Sequence, residues 1–268
     1  LYSFVNFLRK IIQNRYIIKN MVKRDLKAKY AGSILGFVWS IIQPLTMLLI
    51  YYFVFSAVLK VRLGVDDSNP NFLIWLMCGL FPWIFLSEII GRSSSVLLEN
   101  ASLITKLNFS SEVLPLVLVI SSFVNHMIAM SLLFFIGISF KFIILNIRMI
   151  LFLLYTFYAG IIGLSLGWIV SSLNVFIRDI AQVVSVILNI WFYATPIVYP
   201  GYQIPEKVLT FMRLNPLYFI VEGYRGAILG YQSIDYYGIK FLTLTSIILF
   251  ILGGMIFKYL KRDFANVL

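Results

Sequence analysis

The chain has 268 residues, of which 61% are hydrophobic and 12% charged, and a formal net charge of +11. Soluble domains carry about 25% charged residues, and one core of this length cannot hide so much apolar surface. Composition therefore excludes an ordinary soluble fold, and the positive charge reads as membrane topology and attraction to anionic lipid, with no nucleic-acid partner.

In chain order, residues 1–20 come first. They mix Phe4, Phe7, Leu8, Ile11 and Ile18 with Arg9, Lys10, Arg15 and Lys19, which suits a helix lying on the membrane surface or an ordinary basic flank. Residues 1–29 are too basic and interrupted for the apolar core of a signal peptide. Six windows free of Asp, Glu, Lys and Arg follow, at 30–59, 68–87, 113–140, 149–177, 180–205 and 241–257. A spanning helix needs roughly 17–25 apolar residues, whereas spanning strands alternate in polarity over about 10. The expected fold is all-α and integral to the membrane, as one domain over 1–268. It comprises a cytoplasmic interface helix within 1–29, six transmembrane helices within 30–260 and an external loop over 203–240. With the N-terminus inside, the inner segments hold 14 of the 22 basic residues, so the positive-inside rule puts both termini in the cytoplasm.

Features between and within the windows carry further expectations. Gln43-Pro44 interrupts the first span, where proline removes a backbone donor and kinks a helix. The single cysteine, Cys78, falls inside the second span and has no intramolecular partner. The polar segment 92–112 reads as cytoplasmic, with a short helix around 96–107. His126, the single histidine, sits near the middle of the third span as a packing residue or a proton relay. Ala159, Gly163, Gly167 and Ser171 recur every four residues of the fourth span, giving a smooth face for close helix approach, within the chain or at a dimer seam. Arg178-Asp179 follows at a cytoplasmic turn, either as a helix cap with a local ion pair or as a grip for lipid phosphate. Segments 208–214 and 217–229, divided by Asn215-Pro216, are too short to cross about 30 Å. They read as re-entrant or interfacial helices, tolerated at membrane depth only where protein or a cavity surrounds them.

Catalytic chemistry is not expected. No G-x-x-x-x-G-K-[ST] phosphate loop is present, so the chain cannot cradle ATP in the usual way. One histidine and one cysteine supply neither a metal site nor a nucleophile triad. Carboxylates are nearly absent from the spans, Glu88 lying close to a cytoplasmic end, which argues against ion-coupled transport. Aromatic residues form 17% of the chain and are biased outward, as an interfacial belt or as rings over which sugars slide.

Arg24-Asp25-Leu26-Lys27, then Tyr30, Ser33, Leu35-Gly36, Trp39 and Gln43-Pro44, resembles the start of polysaccharide-exporting ABC transporter permeases. The likeness continues through Leu103-Ile104-Thr105-Lys106, Phe109, Pro115, Phe176-Ile177-Arg178-Asp179, Thr195-Pro196-Ile197-Val198-Tyr199-Pro200, Asn215-Pro216-Leu217 and Arg225. Asn108-Phe109-Ser110 departs from it, standing where the family often has a Phe-Pro step. The resemblance implies a homodimeric channel in the bacterial cytoplasmic membrane, served by two copies of a separate ATP-binding subunit. ATP-Mg would sit on that subunit, with no cofactor on this chain, and the cargo would be a lipid-linked glycan of O-antigen, teichoic acid or capsule type. It implies ATPase coupling through the surface helix and Leu103, Ile104, Thr105 and Lys106. Arg24, Lys27 and Arg178 are candidates for lipid phosphate at the cytoplasmic mouth. Tyr51, Tyr52, Trp191, Phe192 and Tyr193, at similar depth in the first and fifth spans, are candidates for the channel lining. A drug or lipid exporter and a membrane-embedded glycosyltransferase are the alternatives.

Overall fold

The computed structural model describes residues 14–29, 32–58, 72–106, 109–200, 204–230 and 234–268, which form helices and turns with no strand among them. Helix α1 (Arg15–Ala28) is amphipathic and buries Val22 against Val113 and Val117. Residues 1–13 of the expected interface helix lie outside the described residues. A 3-10 turn (Gly36–Val38) leads into α2 (Trp39–Tyr51), which widens into a π-helical stretch (Tyr52–Val58). Pro44, the expected interruption of the first span, lies inside α2, and the helix runs through it, which a spanning helix tolerates where neighbouring groups re-satisfy the backbone. The wide turns come eight residues later.

Helix α3 (Phe72–Glu99) runs well past the neutral window 68–87, and the short α4 (Ala101–Lys106) follows after Asn100. The expected short helix around 96–107 is thus divided at Asn100, and residues 92–99 of the polar segment prolong the spanning helix. Helices α5 (Val113–Ser139) and α6 (Leu151–Phe176, preceded by a 3-10 turn) match their windows closely. Helix α7 (Ile180–Tyr193) does not match. The window reached 205, but the helix has 14 residues and gives way to turns through Pro196 and Pro200. Proline offers no amide to continue an α-helix. At 1.5 Å per residue α7 is about 21 Å long, short of a hydrocarbon core of about 30 Å. Helices α8 (Glu206–Met212) and α9 (Pro216–Leu229) precede α10 (Tyr236–Leu260), a 3-10 turn and α11 (Phe264–Val267). Five helices among the described residues are long and apolar enough to span, and α7 is a shorter apolar one.

Helix α3 is apolar all round and buried all round, the pattern of a helix surrounded by others. In its spanning window 83% of residues are buried, against 11% for α2 and 22% for α10. Helices α5, α6, α7 and α9 pack around it. The four-residue small face of α6 lies close against α3: a Cβ on Gly163 would stand 3.1 Å from the Ile89 side chain, and one on Gly167 would stand 2.6 Å from Ser93 Oγ. Ala159 and Ser171 are fully buried on the same face. On its other side α6 meets α10 backbone to backbone, since a Cβ on Gly253 would lie 2.5 Å from the Ser165 carbonyl oxygen.

That last contact has no flexible partner to yield. Gly253→Ala is expected to destabilise the protein by about 1–3 kcal/mol through overpacking, read as a lower thermal midpoint in detergent or nanodiscs. Gly91→Ala, whose new methyl would meet its nearest neighbour at 3.8 Å, should leave the midpoint unchanged or raised.

Candidate functional site

Two ends of the bundle are distinguished by their polar chemistry. The basic end holds α1, the C-terminal half of α3, α4 and the start of α5; the far end holds the turn after α7 together with α8 and α9.

At the far end, Arg225 of α9 is fully buried. Its Nη1 donates to the Pro196 carbonyl at 2.9 Å and to Glu222 Oε1 at 2.7 Å, and its Nη2 donates to the Ile197 carbonyl at 2.8 Å. Its Nε reaches the Trp75 carbonyl at 3.4 Å, and the guanidinium lies 3.5 Å above the Trp75 ring. Gly79 makes room: a Cβ there would stand 3.1 Å from Arg225 Nη2 and 3.2 Å from the Ile197 carbonyl oxygen. Asn215 acts at the N-terminus of the same helix. Its side chain caps α9 through Leu217 N at 3.0 Å, accepts from Trp191 Nε1 at 2.8 Å and donates to Thr195 Oγ1 at 2.8 Å. Pro196, Ile197, Asn215 and Arg225 are thus parts of one knot joining α3, α7 and α9. Deeper on α9, the Tyr224 hydroxyl bonds His126 Nε2 of α5 at 2.9 Å and Thr156 Oγ1 of α6. His126, stacked on Phe85 at 5.0 Å, is a hydrogen-bonded packing residue.

The structure separates the five aromatic candidates into two sets. Tyr51 stacks on Phe55 at 5.8 Å, and the ladder continues through Phe72 to Trp75, the ring beneath Arg225. Tyr52 is 51% exposed. Trp191 and Phe192 pack on Trp83 at 6.2 and 5.6 Å, with Tyr193 edge-on to Phe192 at 5.0 Å and itself exposed. No ring contact among the described residues joins the two sets. Trp83 belongs to the second set and was missed in the sequence, because one tryptophan in an apolar run carries no signal of direction.

Between α2, α3, α5 and α7 lies a cavity of about 690 Å³. Phe81, Trp83 and Phe85 of α3 form an aromatic wall, Ser122 and Asn125 of α5 a polar one, and Gln43 and Asn189 reach it from α2 and α7. Ser40 and Pro44 also line it; Pro44 has no amide to give the Ser40 carbonyl, so the freed acceptor falls on a residue of the cavity. Lys29 and Glu88, paired at 2.9 Å, close the basic end.

That pair belongs to a network. Arg92 donates to Asp25 at 2.5 Å and to Glu88 at 3.5 Å, and Arg24 donates to Asn100 Oδ1 at 3.3 Å. Single exposed ion pairs contribute about 0–1 kcal/mol, but here several converge and bind α1 along α3. Glu112, buried at the start of α5, pairs with Lys261, and its carbonyl accepts from Trp168 Nε1 at 3.1 Å. Lys27 and Arg178 are exposed. Asp179 does not cap α7 with its side chain, and no ion pair joins it to Arg178 among the described residues. Its φ of −72° and ψ of −11° are helical, unlike the extended backbone of a capping residue. Asn174 caps instead, accepting from Ala181 N at 3.3 Å and donating to the Ser94 carbonyl at 2.7 Å. Leu103 and Ile104 are half-buried, Thr105 is exposed, and Lys106 ends α4.

A family profile described as ABC-2 type transporter matches residues 16–229, from α1 to the last residue of α9. The chain is 34% identical over 263 residues to the O-antigen export system permease protein RfbA of Klebsiella pneumoniae, covering 92% of this chain and 93% of that protein. It is 28% identical over 270 residues to the O-antigen export system permease protein RfbA of Myxococcus xanthus, covering 98% and 99%. The polysialic acid transport protein KpsM of Escherichia coli is 21% identical over 247 residues, covering 90% and 92%.

The knot at the far end generates a prediction. Arg225→Met should cost about 3–5 kcal/mol, because three carbonyls and Glu222 lose their shared donor. Arg225→Lys should recover little of it, since an ammonium cannot stack on Trp75 and spread its donors over all of these acceptors. Thermal unfolding of the purified variants, followed by intrinsic tryptophan fluorescence, checks both.

Proposed function

We propose, from the premise that this chain belongs to the ABC-2 type transporter family, that it is the membrane-spanning permease of an ATP-driven polysaccharide exporter. The observation that carries this reading is the full-length likeness, at 28–34% identity, to O-antigen export permeases. The chain is a multi-pass membrane protein, and a family of permease subunits implies an ATP-binding partner.

The protein works as a homodimer with two copies of a separate ATP-binding subunit, which holds ATP-Mg, and moves a lipid-linked glycan through a bacterial cytoplasmic membrane. The basic end is cytoplasmic, which the positive-inside rule supports. Helix α7 and the turns after it complete a sixth crossing, supported by its apolar character and its bonds into the far-end knot. Helices α2 and α7 line the path. Their exposed apolar residues, such as Ile41, Leu49, Val186 and Ile190, need lipid or a second copy beside them. Arg24, Lys27 and Arg178 attract the lipid phosphate, and Tyr51, Tyr52, Trp191, Phe192 and Tyr193 lie along the outer half of the route. A neutral cavity of carboxamides, hydroxyls and rings favours hydroxyl-rich cargo over an apolar drug or lipid.

ATP hydrolysis is transmitted at the basic end. Thr105 presents an exposed side chain on α4, and the corner at Asn100 accepts from Arg24 of α1. Movement of α1 and α4 by the ATPase would therefore pull on α3 through Arg92 and Asn100.

Two outcomes test this. The purified chain should hydrolyse no ATP alone and acquire turnover of the complex only when its cognate ATP-binding subunit is added; robust turnover by the single polypeptide would remove the assignment. Thr105→Cys, placed in a Cys78→Ala background, should cross-link to the ATP-binding subunit and stay unlabelled by an impermeant thiol reagent outside intact cells. Labelling from outside would invert the orientation.

A further inference from the structure

We propose that the cavity between α2, α3, α5 and α7 is a saccharide subsite, in which an uncharged sugar ring lies on the Trp83 wall and is hydrogen-bonded by Asn125 and Ser122. The proposal rests on the polysaccharide reading above and adds to it the ligand chemistry and residues on α5.

The carrying observation is a set of unmade hydrogen bonds. Ser122 is 1% exposed, and its Oγ has no partner. Both polar atoms of the Asn125 carboxamide are also buried without a partner. An unpaired buried donor or acceptor costs about 1–3 kcal/mol, so three on one wall demand a partner from the cavity. Neighbouring polar groups on α5 are already used: Ser121 Oγ donates to the Val117 carbonyl at 2.9 Å, and His126 bonds Tyr224 at 2.9 Å. The unsatisfied atoms of this helix are those of residues that line the cavity.

The rest of the lining fits a sugar. A hydroxyl both donates and accepts, and so does a carboxamide; Asn125, Gln43 and Asn189 bring carboxamides from three helices. Trp83 brings an indole ring to the lining, the kind of surface on which the C–H side of a pyranose ring packs. The charged lining residues are Lys29 and Glu88, and they neutralise each other at 2.9 Å, which suits neutral sugar better than phosphate. About 690 Å³ lies within the roughly 300–1,000 Å³ of small-ligand pockets, ample for a ring.

The test uses the permease assembled with its ATP-binding subunit in nanodiscs. The probe is radiolabelled glycan freed of lipid by mild acid, from cells in which the transporter is deleted and cargo accumulates. Three variants disturb the cavity independently: Ser122→Ala removes one unpaired oxygen, Asn125→Leu removes the carboxamide, and Ala129→Phe fills space while keeping both polar groups. Asn125→Leu and Ala129→Phe should each weaken glycan binding by about tenfold or more and Ser122→Ala by a few-fold, with co-purification of the ATP-binding subunit retained. Wild-type binding matched by all three variants would overturn the subsite and leave the exporter reading intact, the cavity then holding only water. A wild-type complex that neither binds the glycan nor restores its delivery to the cell surface would overturn the exporter reading and the subsite together.

Discussion

A guanidinium can leave water only where acceptors and ring faces replace its hydration on every side, because an uncompensated buried charge costs several kcal/mol. Arg225 meets that condition through the Pro196 and Ile197 carbonyls, Glu222, the Trp75 carbonyl and the Trp75 ring. Those partners come from α3, from the turn after α7 and from α9 itself, so the arginine fixes where three segments meet. Helix α9 is drawn between α3 and α6. Gly223 permits this by leaving space for the Tyr155 ring, which a Cβ would meet at 2.3 Å. Tyr224 then lies deep enough to bond His126 and Thr156. A short apolar helix that cannot span is thereby buried in protein.

With α9 so placed, α3 becomes the axle. The small face of α6 closes on one side of it, and α5, α7 and α9 occupy the others. Two helices are left at the margin. Helix α2 packs lightly, and α7 stops at Tyr193 and turns into the knot. A cavity opens between these two marginal helices and the core, walled by α3 rings and α5 polar groups. Dense packing and open space are two consequences of one arrangement: side chains that fill the α3–α6 contact cannot also fill the space under α2.

The charges at the basic end extend this logic. Helix α3 runs into polar territory because Glu88 and Arg92 find partners on α1, in Lys29 and Asp25. An isolated charge there would favour solvent and an earlier end to the helix. The paired network instead makes α1 a handle on the most buried helix of the molecule, and Glu112 with Lys261 ties the end of α10 to the same region.

Much of this was legible in the amino-acid sequence, and the reason is the bilayer. Apolar runs of spanning length admit few structures, so the α5, α6 and α10 windows and the two short helices around Asn215-Pro216 could be read from residue type alone. The ordered motifs likewise marked Arg225 and the Thr195–Pro200 turn without saying what joined them. The charge-free windows missed two boundaries by about three helical turns. The second window ended at Ser87, because Glu88 counts as a free charge, and the fifth ran to residue 205, because uncharged prolines do not close a window before Glu206. The α1 residues that pair Glu88 and Arg92 lie about sixty residues away in the chain. Tertiary structure alone decided that Tyr51 joins the Trp75 ladder while Trp191 joins Trp83 and Asn215, and that Asn125 and Ser122 face a cavity. Direction around a helix, in a span apolar on every side, is set by the neighbours that pack against it and not by the pattern along it.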